Sequence, residues 1–178
     1  VIGAGEMGHG IAEIFLINGY DVNLVDINEQ ALQKAKQLIE ESLNKFAERG
    51  KLKPEDVARI MSKLKTSTNI EDSVKDADMI IEAVPEKIEI KADVLGKASK
   101  AAKPDAIIGT NTSNIKITDL SQYVSSPWRF LGTHFFNPPV IMKLVELVKG
   151  EKTDDRVLDK VYNLMKSLGK EPIKVMKD

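Results

Sequence analysis

The chain has no cysteine, two histidines, one tryptophan, and four arginines among its 26 basic residues. Without cysteine there is neither a disulfide framework nor a thiolate metal site. His9 and His134 lie far apart in the sequence, so no metal site is expected from imidazoles either. No apolar run approaches the roughly 20 residues of a membrane-spanning helix, and no signal-peptide pattern opens the chain. Charge of one sign is also missing. The 26 basic residues face 27 acidic ones for a net charge of −1, which excludes the basic footprint of a nucleic-acid binder. What remains is 178 residues, 42% hydrophobic and 30% charged, enough for one domain with a real core. We therefore expect no nucleic-acid partner, no membrane and no metal. The expected setting is cytoplasmic, with the mitochondrial matrix as the alternative.

The opening residues Val1-Ile2-Gly3-Ala4-Gly5-Glu6-Met7-Gly8 read as the tail of a strand, a tight turn and the start of a helix. The pattern is G-x-G-x-x-G. Gly3 makes the turn, Gly5 lets the backbone approach a pyrophosphate, and Gly8 lets helix and strand pack closely. Amide N–H groups and the helix dipole favour anions at that terminus. A second strand, Asp21–Asp26, ends in an acid about twenty residues beyond the turn, the spacing at which an acid meets the ribose hydroxyls of a dinucleotide. A carboxylate there repels a 2′-phosphate, so NAD is expected rather than NADP. Asp26 or Asn28 is also placed to cap the next helix.

A long amphipathic helix follows over 29–49, with Ala31, Ala35, Leu38, Ile39, Leu43 and Phe46 on one stripe and Gly50 as its stop. A shorter helix begins at Pro54, and this pair is longer than a plain βαβ crossover needs. Strands are expected at 64–67, 78–84, 106–109, 129–136, 143–148 and 172–176, with helices near 70–75, 87–103 and 154–168. In the helix over 87–103, Ile90, Val94, Leu95 and Ala98 are expected to face inward. The alternation predicts one Rossmann-type, doubly wound α/β domain over 1–178, with a mostly parallel sheet and a helical-hairpin insertion after the second strand. Both ends read as cut. The first strand is short, and the chain is expected to be a fragment of a longer polypeptide.

His134 is the histidine left free for chemistry, since His9 sits in the glycine-rich turn. Glu146 follows twelve residues later, beyond the break Pro138-Pro139 and within a second apolar run. Two strands joined through that break would set Glu146 beside His134. A carboxylate next to an imidazole fixes its tautomer and stabilises the form it reaches on taking a proton, which makes a general-base pair. The cluster Thr110-Asn111-Thr112-Ser113 follows a strand's C-terminal end, where ligands of parallel sheets bind.

Taken together, several strings resemble the 3-hydroxyacyl-CoA dehydrogenase family across essentially the whole chain. They are Gly3–Gly8, Asp26, Ile39–Leu43, Glu82-Ala83-Val84-Pro85-Glu86, Asn111-Thr112-Ser113, His134-Phe135-Phe136-Asn137-Pro138 and Met142-Lys143-Leu144-Val145-Glu146. The resemblance implies NAD-dependent oxidation of an L-3-hydroxyacyl-CoA, with His134 as base and Glu146 as its partner. It further implies that Ser113 touches the substrate hydroxyl and the nicotinamide side, and that Asn137 helps hold the pocket or substrate carbonyl. Cofactor contacts beyond Gly3, Ala4, Gly5, Glu6, Met7, Gly8 and Asp26 are implied at Glu86, Lys91, Asn111 and Ser113. Ser42 and Arg49 match positions that touch CoA, with Arg49 standing where a lysine is common.

Thr110 replaces a more usual serine, and Pro138–Ile141 varies the usual turn. The family continues into an all-helical domain that closes the cleft and makes a homodimer, and some members are fused to an enoyl-CoA hydratase. Three rivals stand beside this reading. One is a reductive 3-hydroxybutyryl-CoA dehydrogenase with the same residues. Another is a β-hydroxyacid or sugar dehydrogenase, which relies on a lysine from a later helical domain. The last is a non-catalytic NAD-binding relative of the lambda-crystallin type.

Overall fold

A computed structural model describes residues 1–178. Its helices are α1 (Glu6–Ile17), α2 (Glu29–Glu48), α3 (Pro54–Met61), α4 (Ile70–Val74), α5 (Ile88–Ala101), α6 (Ile117–Ser121) and α7 (Asp155–Ser167). The strands are β1 (Val22–Val25), β2 (Leu64–Ser67), β3 (Met79–Glu82), β4 (Ile107–Thr110), β5 (Phe130–Phe135), β6 (Leu144–Val148) and β7 (Glu171–Val175). Parallel pairing runs β2–β1 on one side and β3–β4–β5 on the other. Ile2 joins the two halves by parallel bridges to Val25 and Glu82. The ladder there is continuous: Ile2 N–H donates to Ile81 at 2.9 Å, and Ala83 N–H donates to Ile2 at 2.7 Å. At the far edge β6 runs antiparallel to β5, and β7 lies parallel to β6.

Both sheet faces are covered, as neighbouring residues in the strands make plain. Ile81, Ile107 and Leu131 join the core under α1, α2, α3 and α7, while Ile80, Ile108 and Phe130 pack beneath α4, α5 and α6. Successive side chains of a strand point to opposite faces, so runs such as Met79-Ile80-Ile81 serve two cores at once. Each fully buried Leu or Ile contributes about 1.5–3 kcal/mol, which makes this two-sided burial the main support of the sheet.

The helices have local causes. Asn28 caps α2, accepting the N–H groups of Gln30 and Ala31, and Gly50 ends it at a φ of +73°. Pro54 opens α3, and Asp154 caps α7 by accepting from Arg156 N–H. No helix is long and apolar enough to cross a membrane.

The structure corrects the sequence reading in three places. In α2 the fully buried stripe is Leu32, Ala35, Ile39 and Leu43, whereas Ala31, Leu38 and Phe46 stand half-buried along an open cleft. In α5, Ile90 is 37% exposed and Lys91 turns inward instead, 1% exposed. The reason is Glu82, buried at the end of β3, which draws the Lys91 ammonium under the sheet. The short helix α6 and the 3-10 turn Pro127–Arg129 were not expected from the sequence. Each is too short to show a helical period.

Candidate active site

The glycine turn sits where the strand order reverses between β1 and β3, the place where ligands of open parallel sheets bind. Gly3 adopts a φ of +106°, and a Cβ on it would meet the Ala83 carbonyl oxygen at 2.5 Å. A Cβ on Gly8 would lie 1.7 Å from the Gly3 carbonyl oxygen. Over Gly5 there is open space. No side chain caps α1, so its first amides face that space bare. This cradle fits the pyrophosphate of a dinucleotide, with Gly3, Ala4, Gly5, Glu6, Met7 and Gly8 forming its wall.

Asp26 follows β1 and folds against the same turn. Its carboxylate accepts Ala4 N–H and Asn28 N–H, each at 2.9 Å. The helix cap is Asn28, which leaves Asp26 at the end of β1 beside the glycine turn.

His134 and Glu146 pair across the antiparallel β5–β6 ladder. His134 Nδ1 lies 2.9 Å from Glu146 Oε1. With the carboxylate as acceptor, the proton sits on Nδ1, and Nε2 keeps its lone pair. Both side chains are partly open to solvent, 19% and 32% exposed. Phe136 flanks the imidazole with ring centroids 4.5 Å apart.

The loop after β4 is tied to this pair. Asn111 Oδ1 accepts the N–H of Phe135, next to His134, at 2.8 Å. Glu86 grips the rest of the loop: Thr112 Oγ1 donates to it at 2.8 Å, and Ser113 donates through both N–H and Oγ at 2.8 and 3.0 Å. Burial pushes the Glu86 carboxyl up. The Ser113 amide, the Thr112 hydroxyl, the Lys91 charge and the Ser113 hydroxyl outweigh it, and the net result is lowered to about 2. Beneath lies a second network. Glu82, fully buried, takes hydrogen bonds from Lys91 at 2.6 Å, Thr110 at 2.6 Å and Val84 N–H at 2.8 Å. Lys91 is therefore not on the cleft surface but below Glu86, 3.4 Å from its carboxylate.

Asn137 Nδ2 donates to Glu6 Oε1 at 2.9 Å, joining the loop beyond β5 to the first turn of α1. Ser42 and Arg49 are not brought to the His134 pair. They line a separate cleft of about 1090 Å³ between α1, α2 and the 137–141 loop, which Gly5 and Glu6 also border.

Sequence reasoning missed two buried groups. Glu13, 1% exposed, accepts the Ser42 hydroxyl at 2.6 Å, and burial raises its carboxyl to about 7 against the pull of that hydrogen bond. Its signal was a lone acid within Ile11–Ile17. Lys170, 7% exposed, donates to the Pro139 and Met142 carbonyls at 2.6 and 2.9 Å. Nothing in its sequence surroundings marked it.

A glycine cradle at the strand-order switch, an acid beside it and an imidazole–carboxylate pair define a dinucleotide-binding domain of the dehydrogenase class. Comparison with known proteins sharpens this. The family described as "3-hydroxyacyl-CoA dehydrogenase, NAD binding domain" matches residues 1–178, and the chain belongs to that family. It is 40% identical over 175 residues to a 3-hydroxybutyryl-CoA dehydrogenase of Clostridioides difficile, covering 98% of this chain and 62% of the relative. It is also 40% identical over 178 residues to the mitochondrial hydroxyacyl-coenzyme A dehydrogenase of Sus scrofa, covering 97% of this chain and 57% of the relative. The solved (S)-3-hydroxybutyryl-CoA dehydrogenase PaaH1 from Ralstonia eutropha superposes with a TM-score of 0.94 at 39% identity, covering 99% of this chain and 62% of that one. The chain thus spans less than two thirds of the length of these relatives.

Proposed function

We propose that the chain is the NAD-binding portion of an enzyme that oxidises L-3-hydroxyacyl-CoA to 3-ketoacyl-CoA, as in fatty acid β-oxidation. The observation that carries this reading is the His134–Glu146 pair at 2.9 Å. Its loop neighbours are pinned by Asn111 on one side and by the Asn137–Glu6 bond on the other. Bound NAD supplies the hydride acceptor for the hydrogen on C3. His134 Nε2 takes the hydroxyl proton, and Glu146 balances the imidazolium that results. Ser113 orients the hydroxyl from the loop that Glu86 holds. Asn137 borders the substrate carbonyl, and Ser42 and Arg49 meet the CoA portion. Lys91 acts on the cofactor side only through Glu86.

A reductive reading uses the same residues, with His134 in its charged form giving the proton to a ketone. The 3-hydroxybutyryl-CoA dehydrogenases among the relatives support it. The intact His134–Glu146 pair argues against a non-catalytic, lambda-crystallin-like role.

The remaining length of the relatives suggests a further portion of the active protein. We assign it to an all-helical domain that closes over the substrate, excludes water and carries the contacts of a homodimer.

The testing variant is His134→Gln in the natural-length protein. Its kcat for acetoacetyl-CoA-dependent NADH oxidation should fall about 100-fold or more, while its NADH Kd stays within about twofold. Parallel loss of turnover and NADH affinity would make the histidine structural.

A further inference from the structure

Glu13 is the only acid within the apolar stretch Ile11–Ile17 of α1, and its carboxylate is buried against α2 with the Ser42 hydroxyl as its hydrogen-bond donor at 2.6 Å. Both residues line the 1090 Å³ cleft, away from the His134 pair. We propose that Glu13 is a positioning residue for Ser42: its protonation state decides whether the Ser42 hydroxyl offers the cleft a hydrogen or only lone pairs, so that a CoA thioester binding there takes up a proton. This rests on the acyl-CoA reading above.

What each group is able to donate decides which form suits the ligand. An ionised carboxylate only accepts, so the single Ser42 hydrogen is committed to Glu13, and the hydroxyl faces a ligand with lone pairs alone. A CoA thioester presents mainly acceptors: phosphate oxygens, amide carbonyls and the thioester carbonyl. Lone pairs opposite those oxygens give no bond and leave Ser42 poorly matched. Once Glu13 is protonated, it carries a hydrogen of its own for Ser42 Oγ. The Ser42 hydrogen then turns to the ligand.

The ligand's negative charge works in the same direction, because it disfavours a carboxylate buried at the cleft wall. Burial has already raised the Glu13 carboxyl to about 7, against the pull of the Ser42 hydrogen bond.

The other ionisable groups lining the cleft are Glu6 and His9 on α1, Lys34, Glu41, Lys45 and Arg49 on or ending α2, and Lys51 just beyond. The 137–141 segment brings none. His9 is the one imidazole among them. Glu13→Gln leaves His9 untouched and keeps a hydrogen-bonding group of the same size beside Ser42, so the difference between the two proteins isolates Glu13.

The experiment is calorimetric titration of acetoacetyl-CoA into the wild-type and Glu13→Gln proteins at about pH 6 and about pH 8, in two buffers of different ionisation enthalpy. The wild type is expected to bind about tenfold more weakly at the higher pH and to take up a substantial fraction of a proton per ligand near pH 7. Glu13→Gln should change by less than about threefold across the same range, with correspondingly smaller proton uptake. Ser42→Ala keeps Glu13 and removes the hydroxyl, and should lose the tighter binding at low pH. It carries the comparison if the Gln protein is misfolded. Equal pH slopes and proton uptake in wild type and Glu13→Gln, or an unchanged slope in Ser42→Ala, overturn this inference and leave the acyl-CoA reading standing. Absence of acetoacetyl-CoA binding at either pH overturns both.

Discussion

Glu86 sits under opposed influences, with burial raising its carboxyl and the donors of the 112–114 loop, together with Lys91, bringing it down to about 2. Its folded position is thus below the ordinary value of 4.5. The stability it contributes is present above pH 4.5 and is lost as pH falls from there through about 2. Its side chain is 35% exposed, so solvent screening reduces this to about 1 kcal/mol. Thermal melts should show wild type losing stability more steeply than Glu86→Gln on acidification through that window. Parallel curves would mean that the grip on Ser113 is not electrostatic. At this scale the sequence was partly legible. His134 and Glu146, twelve apart around a Pro-Pro break, announced a cross-strand pair, and the ladder sets them opposite each other. Lys91 and Ile90 were not legible in their true orientations. Their exchange depends on the buried Glu82, a neighbour that only the folded sheet supplies.

Among the elements, the 138–142 segment depends on a residue far along the chain. Lys170 follows α7 and reaches back to the carbonyls of Pro139 and Met142. The Pro139 ring in turn lies close to Gly10 of α1, where an added Cβ would stand 3.0 Å from it. Lys170 thereby holds the connection between β5 and β6, and with it one wall of the cleft that Ser42 and Arg49 line. Replacing it by Met leaves two carbonyls without this donor, at a cost of about 2 kcal/mol, or roughly 4–8 °C in Tm for a chain of this size. A melting temperature unchanged in Lys170→Met would show that the segment holds itself. Periodicity made the longer elements readable: α2, α7 and all seven strands lie within a few residues of their expected positions. The long-range tie from Lys170 to Pro139 is invisible to periodicity, because it joins a loop to a turn 31 residues away.

For the molecule as a whole, the sheet works as a bench with two stations. The glycine cradle lies at the reversal of strand order beside Ile2, and the His134–Glu146 pair lies at the antiparallel edge. The loop after β4 and the Asn137–Glu6 bond connect them. The alternating pattern was enough to foresee the bench, since each strand reads as a buried run between helices, whereas the strand order that places the switch point beside Ile2 emerges only in the folded sheet. The cleft holding Ser42 and Arg49 was foreseen only as two isolated positions, because its shape arises from α1, α2 and the 137–141 loop meeting in space.

The most direct test of the central claim is acetoacetyl-CoA-dependent NADH oxidation, measured on the natural-length protein and on residues 1–178 side by side, with NADH binding followed by fluorescence. Both are expected to bind NADH; the natural-length protein should turn over, and residues 1–178 alone should turn over at least about 100-fold more slowly for want of closure. A natural-length protein that binds NADH yet never oxidises it in the presence of acetoacetyl-CoA would contradict the account.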